Sequence, residues 1–415
     1  MPRGGGKYQA CDSLDLRLVP APLTVAIISD YFLDYVGGAQ SSIFEQQAAL
    51  REAGHEALLV ASVRSSSGPV DLAVRPRFTV PGLQLAVHYA RRPLIDRLKV
   101  FFVSRGVSVV HLQTEFGLAQ AATTAAHELG IPVVLTVHTF YWGSTGIGPL
   151  LVAPLMKAML QSSTAARFPT TRFTGRSSDD LLRNMTAAMA SRADMVISPS
   201  AHQATDLAAA GVQSPIVVVP NPIARSTRPA SLLADDASPR FLWVARCEPE
   251  KRPLVFAAAV LEALTSASFE VDFVGDGSQL AELRAALAGA PGVRAHGNLG
   301  HEAVLDLIDA ASMIALTSHG FDNQPMTIAE SVSRYRGVLF CDPKLAEGLG
   351  ESGFLSATPD AEGLAAAIVE LVTTKGLLQK LSRGAKLDAA TFSAATYVKR
   401  VSAVYAQAKA HLASA

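Results

Sequence analysis

The chain has 415 residues, a length that indicates two domains, each able to bury a full hydrophobic core. Apolar residues make up 49% and charged residues 17% of the sequence, and the formal net charge is zero, so no basic field of the kind used for nucleic-acid binding is present. The three cysteines, Cys11, Cys247 and Cys341, are widely spaced and odd in number, which argues against a disulfide framework and for residence in the cytoplasm.

The N-terminal region is predicted to be a flexible leader over residues 1–22, because it is rich in glycine and polar residues. No apolar signal core precedes the first predicted strand, and no window offers the roughly 18 uninterrupted apolar residues that a membrane-spanning helix needs. We therefore expect a protein that is soluble or peripheral to a membrane.

The first domain is predicted over residues 23–222. Short β-branched runs alternate there with amphipathic segments, a pattern typical of βα units in which helices cover both faces of a parallel sheet. The predicted strands are 23–29, 56–61, 107–112, 133–137, 195–198 and 216–219. The sequence thus predicts the α/β class with a doubly wound parallel sheet.

Two positions of this domain could meet a ligand. Gly37 and Gly38 directly precede a helical pattern, and paired glycines let a diphosphate approach the amides at a helix start, although a plain tight turn is the alternative. His138 closes the fourth predicted strand and precedes the aromatic run 140–142. An imidazole at the carboxyl edge can hydrogen-bond a reacting group and aromatics can stack on sugar faces, while a structural histidine is the alternative.

The second domain is predicted over residues 223–390, after a segment, 220–237, that is rich in Pro, Ser, Arg and Asp and lacks periodicity. Its strands are predicted at 241–245, 271–274, 293–295, 313–317 and 338–341. Residues 391–415 are predicted to form a helix that packs back on the body of the protein. Two such domains facing each other would leave a cleft between the carboxyl ends of both sheets.

Two cations follow the first strand of this second domain. Arg246 and Lys251 lie on one predicted loop, and two fixed positive charges suit a departing diphosphate that no metal neutralises. Pairing with Glu248 or Glu250 is the alternative. No Asp-x-Asp at a strand end and no His/Cys cluster is present, so no metal site is expected.

Two carboxylates, Asp322 and Glu330, lie across a predicted strand-to-helix junction. Asp322 falls beyond the carboxyl end of a buried strand, where ligands of open α/β sheets gather. The helix is expected to start at Pro325, with its free amides facing a phosphate or sugar oxygens. A carboxylate at Glu330 can accept two hydrogen bonds from the vicinal diol of a ribose. The alternative is a solvated loop acid and a surface helix acid.

Glycine pairs and small motifs complete the pattern. Gly275 and Gly277 lie just beyond another strand, where backbone can approach a ligand closely. Leu280 occupies the third glycine position of a dinucleotide fingerprint, which argues against a nicotinamide enzyme. No Gly-x-Ser-x-Gly elbow is present either, so a hydrolase of that type has no nucleophile.

The motifs in chain order are GGAQSS, the strand-end His138, ADMVISPSAHQATDL, VVVPNP, VARCEPEKRP, VGDGSQL, HGNLGHEAVLDLIDAA and FDNQPMTIAES. Together they resemble family 4 of the retaining, nucleotide-sugar-dependent glycosyltransferases, which have the GT-B fold of two Rossmann-like domains facing a cleft. The resemblance runs from about Leu23 to about Val372.

The resemblance implies a catalytic and donor-binding set. It assigns the donor diphosphate to Gly37 and Gly38 and to Arg246 and Lys251, and the transferred sugar to His138. Asp322 would contact the sugar hydroxyls and Glu330 the ribose. The remaining donor-binding positions implied are Gly275, Gly297, Asn298, Leu299, Asn323, Gln324, Pro325 and Met326. The family has Glu where this chain has Asp322, which leaves the identity of the sugar open.

The activity implied is retaining, hexosyl-type transfer from a nucleoside-diphosphate sugar to an acceptor hydroxyl, for glycolipid or cell-surface or secondary glycan synthesis. The donor is a co-substrate, and no cofactor or metal is expected. The acceptor, a lipid or a glycan, stays open. A degenerate subunit that binds a sugar nucleotide or a partner, or a sugar-nucleotide epimerase of similar fold, are the rival hypotheses.

The region VVHLQTEFGLAQAATTAAHELGIPVVLTVHTFYW also looks like the first domain of family members that glycosylate membrane lipids. A basic and apolar patch supports peripheral contact with the inner face of a membrane, and an ordinary amphipathic helix is the alternative. Its members are Arg91, Arg92, Arg97, Lys99, Phe101 and Phe102.

Overall fold

The structure is a computed structural model that describes residues 22–34, 37–64, 70–80, 85–141, 143, 148–224 and 228–414. The chain forms two compact units. The first comprises Met1–Arg225 together with Ala394–Ala415, and the second comprises Ser226–Ser393. The change from one unit to the other falls inside the segment 220–237, where periodicity is lost.

The first unit is built on a seven-stranded parallel sheet with the order β3-β2-β1-β6-β7-β8-β9, and β4 and β5 form a separate antiparallel pair. Its strands are β1 (Thr24–Phe32), β2 (Glu56–Ser62), β3 (Leu72–Val74), β4 (Phe78–Val80), β5 (Leu85–Val87), β6 (Val109–Leu112), β7 (Val133–Thr136), β8 (Met195–Ser198) and β9 (Ile216–Val218). Every residue of β6, β7, β8 and β9 is buried, which is why these strands read as short runs rich in β-branched residues. The parallel sheet predicted for this half is confirmed.

Helices cover this sheet in the expected alternation. They are α1 (Gly38–Glu52), α2 (Arg92–Ser104), α3 (Gly117–Glu128), α4 (Gly148–Thr164), α5 (Ser177–Ala190) and α6 (Ala201–Ala209). Helix α1 ends before Gly54, whose φ of 83° is the left-handed conformation that commonly terminates a helix. Strand order reverses beside β1, which pairs with β2 on one side and β6 on the other, and ligands of such sheets bind at this reversal.

The second unit repeats the design with a six-stranded parallel sheet in the order β12-β11-β10-β13-β14-β15. The strands are β10 (Arg240–Val244), β11 (Glu270–Val274), β12 (Val293–Gly297), β13 (Met313–Leu316), β14 (Gly337–Phe340) and β15 (Gly353–Leu355). The helices are α7 (Pro253–Ala263), α8 (Leu280–Ala286), α9 (His301–Ala310), α10 (Met326–Ser333), α11 (Ala361–Thr373) and α12 (Leu377–Asp388). Here the reversal lies beside β10, between β11 and β13.

The last helix, α13 (Ala394–Ser414), follows the second unit in the chain but packs in the first. Tyr397, Val401, Val404 and Tyr405 are buried there, in one cluster with apolar residues of β1 and β2. The helix therefore supplies part of the first unit's core.

Two smaller observations concern cysteines and membranes. Cys247 and Cys341 are both buried free thiols, and burial raises the pKa of each to about 11. Among the helices of the described ranges, none combines the length and apolar character needed to cross a bilayer.

Candidate functional site

A buried ion pair lies at the carboxyl edge of the second sheet, where strand order reverses. Lys251 Nζ pairs with Asp322 Oδ1, and the two side chains are only 17% and 10% exposed. The ammonium also lies 5.7 Å from the centre of the Phe321 ring. The other carboxylate oxygen, Asp322 Oδ2, is buried without a hydrogen-bond partner among the described residues. Leaving a charged acceptor buried and unsatisfied is costly, so this oxygen favours a ligand that donates a hydrogen bond.

The ion pair is held by neighbouring strands. Thr317, just after β13, donates its hydroxyl to the carbonyl of Lys251 at 2.7 Å and accepts from the indole nitrogen of the buried Trp243 at 2.9 Å. Arg252 has φ 57°, a left-handed conformation that is strained for a residue with a side chain, and its guanidinium donates to the Thr317 carbonyl at 3.3 Å. These contacts fix the loop after β10 against the loop after β13.

The second cation of this loop has a different setting. Arg246 is 55% exposed and pairs with Glu250 at 2.8 Å, one of the ion pairs named as the alternative, and its contact with a diphosphate stays a prediction. Glu248 instead accepts from the hydroxyl of Ser278 at 2.6 Å. An exposed pair four residues apart is worth about 0.5 kcal/mol, which a diphosphate can readily replace.

The glycine loop after β11 is explained in part by packing. Gly275 has φ 143°, and a Cβ added there would lie 1.8 Å from the carbonyl oxygen of Ala245. Gly277 has φ 154°, and its added Cβ would lie 2.7 Å from the carbonyl oxygen of Cys247. The glycines thus let this loop pack directly on the loop that carries Arg246 and Lys251. Contact of Gly275 with a donor stays a prediction.

The segment predicted to meet the nucleobase begins inside a strand. Gly297 is the last residue of β12, has φ 82° and accepts a hydrogen bond from the amide of Gly275 at 2.8 Å. Asn298 is exposed and Leu299 is partly buried against apolar residues of the same unit. The strand extends two residues further than its predicted end at Ala295, since the backbone pairing with β11 continues through a register shift.

Helix α10 begins one residue later than expected. Pro325 is the N-cap, with φ −61° and ψ 130°, and the first helical residue is Met326. Neither a side-chain cap nor an acid covers the first turn. Asn323 and Met326 are buried, Gln324 is partly buried, and Glu330 lies about one turn into the helix, partly buried. The start of α10 therefore follows Asp322 closely in the chain and lacks an acidic neighbour on its own first turn.

In the first unit, Gly37 and Gly38 open helix α1. Gly37 is the N-cap, with extended backbone and without a side-chain cap, and the first turn carries no acid. A Cβ added to Gly38 would have no atom within 4 Å. The fold therefore does not require glycine at position 38, and the absence of a side chain leaves the backbone there accessible to a ligand.

His138 lies two residues beyond the end of β7 and is tied to a buried polar network. Its Nε2 is 2.7 Å from Gln113 Oε1, and Gln113 Nε2 donates to Gln46 Oε1 at 3.1 Å. Tyr397 of α13 also donates to Gln46 Oε1, at 2.8 Å. Burial lowers the pKa of His138 to about 4, so the imidazole is neutral at pH 7.

The aromatic residues after His138 are less available to a sugar than expected. Phe140 is buried, with its ring 5.8 Å from that of Phe173. Tyr141 donates to Asp206 at 2.5 Å and stacks on His202. Trp142 lies outside the described residues. Phe140 therefore serves the core rather than a sugar face.

A pair of buried acids near this edge was not singled out from the sequence. Asp30, two residues before the end of β1, accepts from the amides of Leu118 and Ala119 at the start of α3, at 2.7 and 3.1 Å. Glu115 is buried, and burial together with the charge of Asp30 raises its pKa to about 8. The sequence signal was only the position of each acid after a strand. Asp30 thus holds the first amides of α3, and the raised pKa of Glu115 favours its neutral form at pH 7.

The basic and apolar patch on α2 is mostly engaged within the protein. Arg92 and Lys99 both bind Glu128, at 2.7 and 2.8 Å. Phe102 is buried in the core and Phe101 packs against it. The contacts favour the alternative, an ordinary amphipathic helix.

Two protein-family models match this chain, one in each half. The model described as Glycosyltransferase Family 4 matches residues 36–226, and the model described as Glycosyl transferases group 1 matches residues 238–374. The chain belongs to the glycosyltransferases of the family 4 type. No curated protein sequence matches it.

Solved structures show the same fold. HepE of Anabaena, in complex with UDP and glucose, is 17% identical, with a TM-score of 0.65 over 92% of this chain and 99% of that one. A glycosyltransferase from Rickettsia africae is 14% identical, with a TM-score of 0.63 over 93% and 98% of the two chains. Sucrose-phosphate synthase from Thermosynechococcus elongatus is 15% identical, with a TM-score of 0.62 over 93% and 98%. The predicted GT-B fold is confirmed.

In this glycosyltransferase the predicted site residues fall into two groups, one in each unit. The second unit brings Lys251 into contact with Asp322, and joins Gly275 to Gly297 through the backbone. Arg246 is paired elsewhere, with Glu250. Sequence reasoning missed Thr317 and, in the first unit, Gln113, because nothing in the local pattern marks either residue.

Proposed function

We propose that this glycosyltransferase moves a hexosyl group from a nucleoside-diphosphate sugar to an acceptor hydroxyl, with retention of configuration. The observation that carries the proposal is the Lys251–Asp322 pair, since it sets a cation beside a buried carboxylate whose second oxygen lacks a partner among the described residues. The diphosphate of a nucleotide sugar would bind the ammonium, and its sugar hydroxyls would donate hydrogen bonds to that second carboxylate oxygen. A nucleotide sugar carries both of these groups.

The residues of the second unit would divide the donor between them. Lys251 and Arg246 would neutralise the diphosphate without a metal, and Asp322 would accept hydrogen bonds from the sugar. Glu330 would accept from the ribose diol, and the amides at the start of α10 would face donor oxygens. The backbone around Gly275 and Gly297 would border the nucleoside, with Asn298 and Leu299 beside the base.

Retention follows from attack on the face that the leaving group occupies. The acceptor oxygen forms a bond to the anomeric carbon as the bond to the phosphate oxygen breaks, and the acceptor's proton passes to that phosphate oxygen. The reaction then needs no protein nucleophile. His138 would contact the transferred sugar, and the open backbone at Gly37 and Gly38 would meet the diphosphate.

Structural relatives suggest the donor to test first. HepE of Anabaena has been solved with UDP-glucose, at 16% identity and a TM-score of 0.63, and the pneumococcal transferase GtfA with UDP and GlcNAc, at 11% identity and 0.64. We therefore propose a uridine-diphosphate hexose as donor. Asp322, one methylene shorter than the family's Glu, would hold the sugar hydroxyls at a different distance.

A thermal-shift panel tests the donor site. Uridine, guanosine, adenosine and thymidine diphosphates and their hexoses are added to the purified protein, since a ligand that binds only the folded state raises its melting temperature. We expect the nucleotides of one base to raise the melting temperature by several degrees when their concentration is about 100 times Kd. The variant Lys251→Met is expected to abolish this shift. No shift with any nucleotide would contradict the proposal and favour a degenerate subunit that binds a partner.

For the acceptor we propose a lipid or glycan hydroxyl presented at a membrane face. Support comes from α4 rather than α2, because Leu151, Val152 and Leu155 on α4 are 78%, 51% and 74% exposed. Exposed apolar side chains on one helix are typical of an interfacial contact.

Cosedimentation with anionic phospholipid vesicles measures this contact. We expect the protein to pellet with vesicles, and Leu151→Ser/Leu155→Ser to remain in the supernatant while keeping its nucleotide-induced thermal shift. Val100→Ser/Val103→Ser, which removes two exposed valines of α2, is the matched control and is expected to pellet like the wild type. Equal pelleting of the α4 variant would contradict the contact.

A further inference from the structure

We propose that Gln113 is a positioning residue that fixes the tautomer and orientation of His138, as the inner end of a buried string of hydrogen bonds that includes helix α13. The contacts that carry this are the 2.7 Å contact between His138 Nε2 and Gln113 Oε1 and the 3.1 Å bond from Gln113 Nε2 to Gln46 Oε1. Its importance for catalysis rests on the role proposed above for His138.

Gln46 on α1 lies in the middle of the string, between Ser42 and Gln113. Its carbonyl oxygen accepts two bonds, from Tyr397 at 2.8 Å and from Gln113. Its amide nitrogen donates to Ser42 Oγ at 2.8 Å, and Ser42 in turn donates to Asn221 Oδ1 at 2.6 Å. Each contact joins a donor to an acceptor in the same direction. Because hydroxyls can donate or accept, the direction of the string rests on Asn221 Oδ1, which accepts from Ser42 and also from Gln46 Nε2 at 3.4 Å.

The orientation of Gln113 follows from that of Gln46. Because Gln113 points its nitrogen at the Gln46 oxygen, its own oxygen must face His138. An amide oxygen only accepts, so the nitrogen opposite it, His138 Nε2, must carry the proton. The neutral ring then holds its lone pair on Nδ1, and His138 acts as a hydrogen-bond acceptor at that atom rather than as a donor.

Burial gives this arrangement its strength. All five residues of the string other than His138 are buried, namely Ser42, Gln46, Gln113, Asn221 and Tyr397. Turning the Gln113 amide over would place its nitrogen against the protonated Nε2 and its oxygen against the Gln46 oxygen. A change of tautomer at His138 would relieve the first mismatch but not the contact between the two amide oxygens, which costs about 1–3 kcal/mol and is enough to keep one tautomer dominant.

The string also connects elements that are far apart in sequence. Ser42 lies about one turn after Gly38, Gln113 follows β6, Asn221 follows β9 and Tyr397 is on α13. The start of α1 and the histidine after β7 are thus held by the same set of bonds. A change in any member is expected to reach His138 through Gln113.

Nitrogen-15 NMR of the histidine rings measures the tautomer directly. Long-range proton–nitrogen correlations at pH 7 distinguish Nε2–H from Nδ1–H, and the His138→Gln variant assigns the signal by its loss. We expect Nε2–H in the wild type, and a mixture of both tautomers in Gln113→Met and Gln46→Met. An Nδ1–H ring in the wild type, or an unchanged ring in Gln113→Met, would overturn the proposal.

A matched control separates positioning from general destabilisation. Gln47 is the next residue on α1, is also buried, and donates to the carbonyl of Ala57 at 3.1 Å outside the string. We expect Gln47→Met to lower the melting temperature as Gln46→Met does but to leave the His138 signal and the turnover number unchanged. Gln113→Met is expected to reduce kcat about 10- to 100-fold, with KM for the donor within about twofold, by analogy with residues that orient a ligand-binding histidine.

If Gln113→Met does not fold, Tyr397→Phe provides a milder change. It removes one of the two donors to Gln46, whereas Tyr405→Phe on the same helix removes a hydroxyl bonded to His111 at 2.8 Å. We expect only Tyr397→Phe to broaden or shift the His138 signal, and equal spectra would count against the string. The NMR result holds whether or not transfer is observed, so a failed activity assay with altered tautomers would reject the proposed reaction and keep the positioning role.

Discussion

Lys251→Ala is expected to reduce the turnover number at least about a hundredfold, since removal of one preorganised group that stabilises transition-state charge costs that much in other enzymes. The charge lost would be one of the two that we propose to meet the departing diphosphate. The ammonium is largely buried and held on Asp322, so solvent cannot replace it readily. Steady-state transfer from the nucleotide sugar that the thermal panel identifies measures the effect.

Two further variants sharpen this experiment. Removing Lys251 alone leaves a buried carboxylate unpaired, which destabilises the fold by up to about 3–5 kcal/mol. The double variant Lys251→Met/Asp322→Asn removes both charges and is expected to regain stability but not activity. Lys375→Ala, at an exposed lysine of the same unit, should behave as wild type. A Lys251→Ala enzyme with wild-type turnover would reject the role assigned to this cation.

His138→Ala is also expected to lower turnover about a hundredfold or more while the protein remains folded. The imidazole is neutral because burial lowers its pKa to about 4, so the contribution we propose for it is a hydrogen bond to the transferred sugar rather than a charge. Between about pH 5.5 and 8, ionisation of His138 should therefore make no contribution to the wild-type rate profile. His127→Ala, at a partly exposed histidine on α3, is the control. A titration near pH 6.5 that disappears in His138→Ala would contradict the neutral ring.

The lowered pKa of His138 also makes the stability of the folded protein fall as the pH falls. An unfolded histidine binds a proton near pH 6.5, whereas folded His138 binds one only near pH 4. Between these values the unfolded chain carries more protons, so acidification favours unfolding. His138→Ala should lose less stability than the wild type between pH 6.5 and 4, which urea denaturation at several pH values would show.

The parts of the fold that could be predicted are those in which one local signal decides the structure. The run 133–137 (VVLTV) is rich in β-branched residues and 313–317 (MIALT) is mainly apolar, because both faces of β7 and β13 are covered. Ligands of open α/β sheets gather at the carboxyl ends of the strands. The positions of His138 and Asp322 just after a strand could therefore be predicted from the sequence. Strands β3, β4, β5 and β15 escaped prediction because three residues are too few to show a period, whereas the equally short β9 was found because residues 216–219 are all β-branched.

The remaining site features depend on contacts that local sequence does not encode. Lys251 and Asp322 lie 71 positions apart, and their pairing follows from the adjacency of β10 and β13. Gln46 and Tyr397 are 351 positions apart, and neither residue type marks a site by itself. Arg246 was correctly placed on a loop, but only the structure showed that Glu250 and not Glu248 is its partner.

Helix α13 has a consequence for how the chain is made. The first sheet's face bearing Val25 and Ile27 is covered in part by Tyr397, Val401 and Tyr405, which leave the ribosome only after the whole second unit. Translation proceeds at about 5–20 residues per second. The apolar face therefore stays uncovered by α13 for on the order of ten seconds or more after it is synthesised. The second unit is continuous in sequence, so its core contains no segment that is synthesised after another unit. The half of the chain that is synthesised first is therefore the half whose hydrophobic core is completed last.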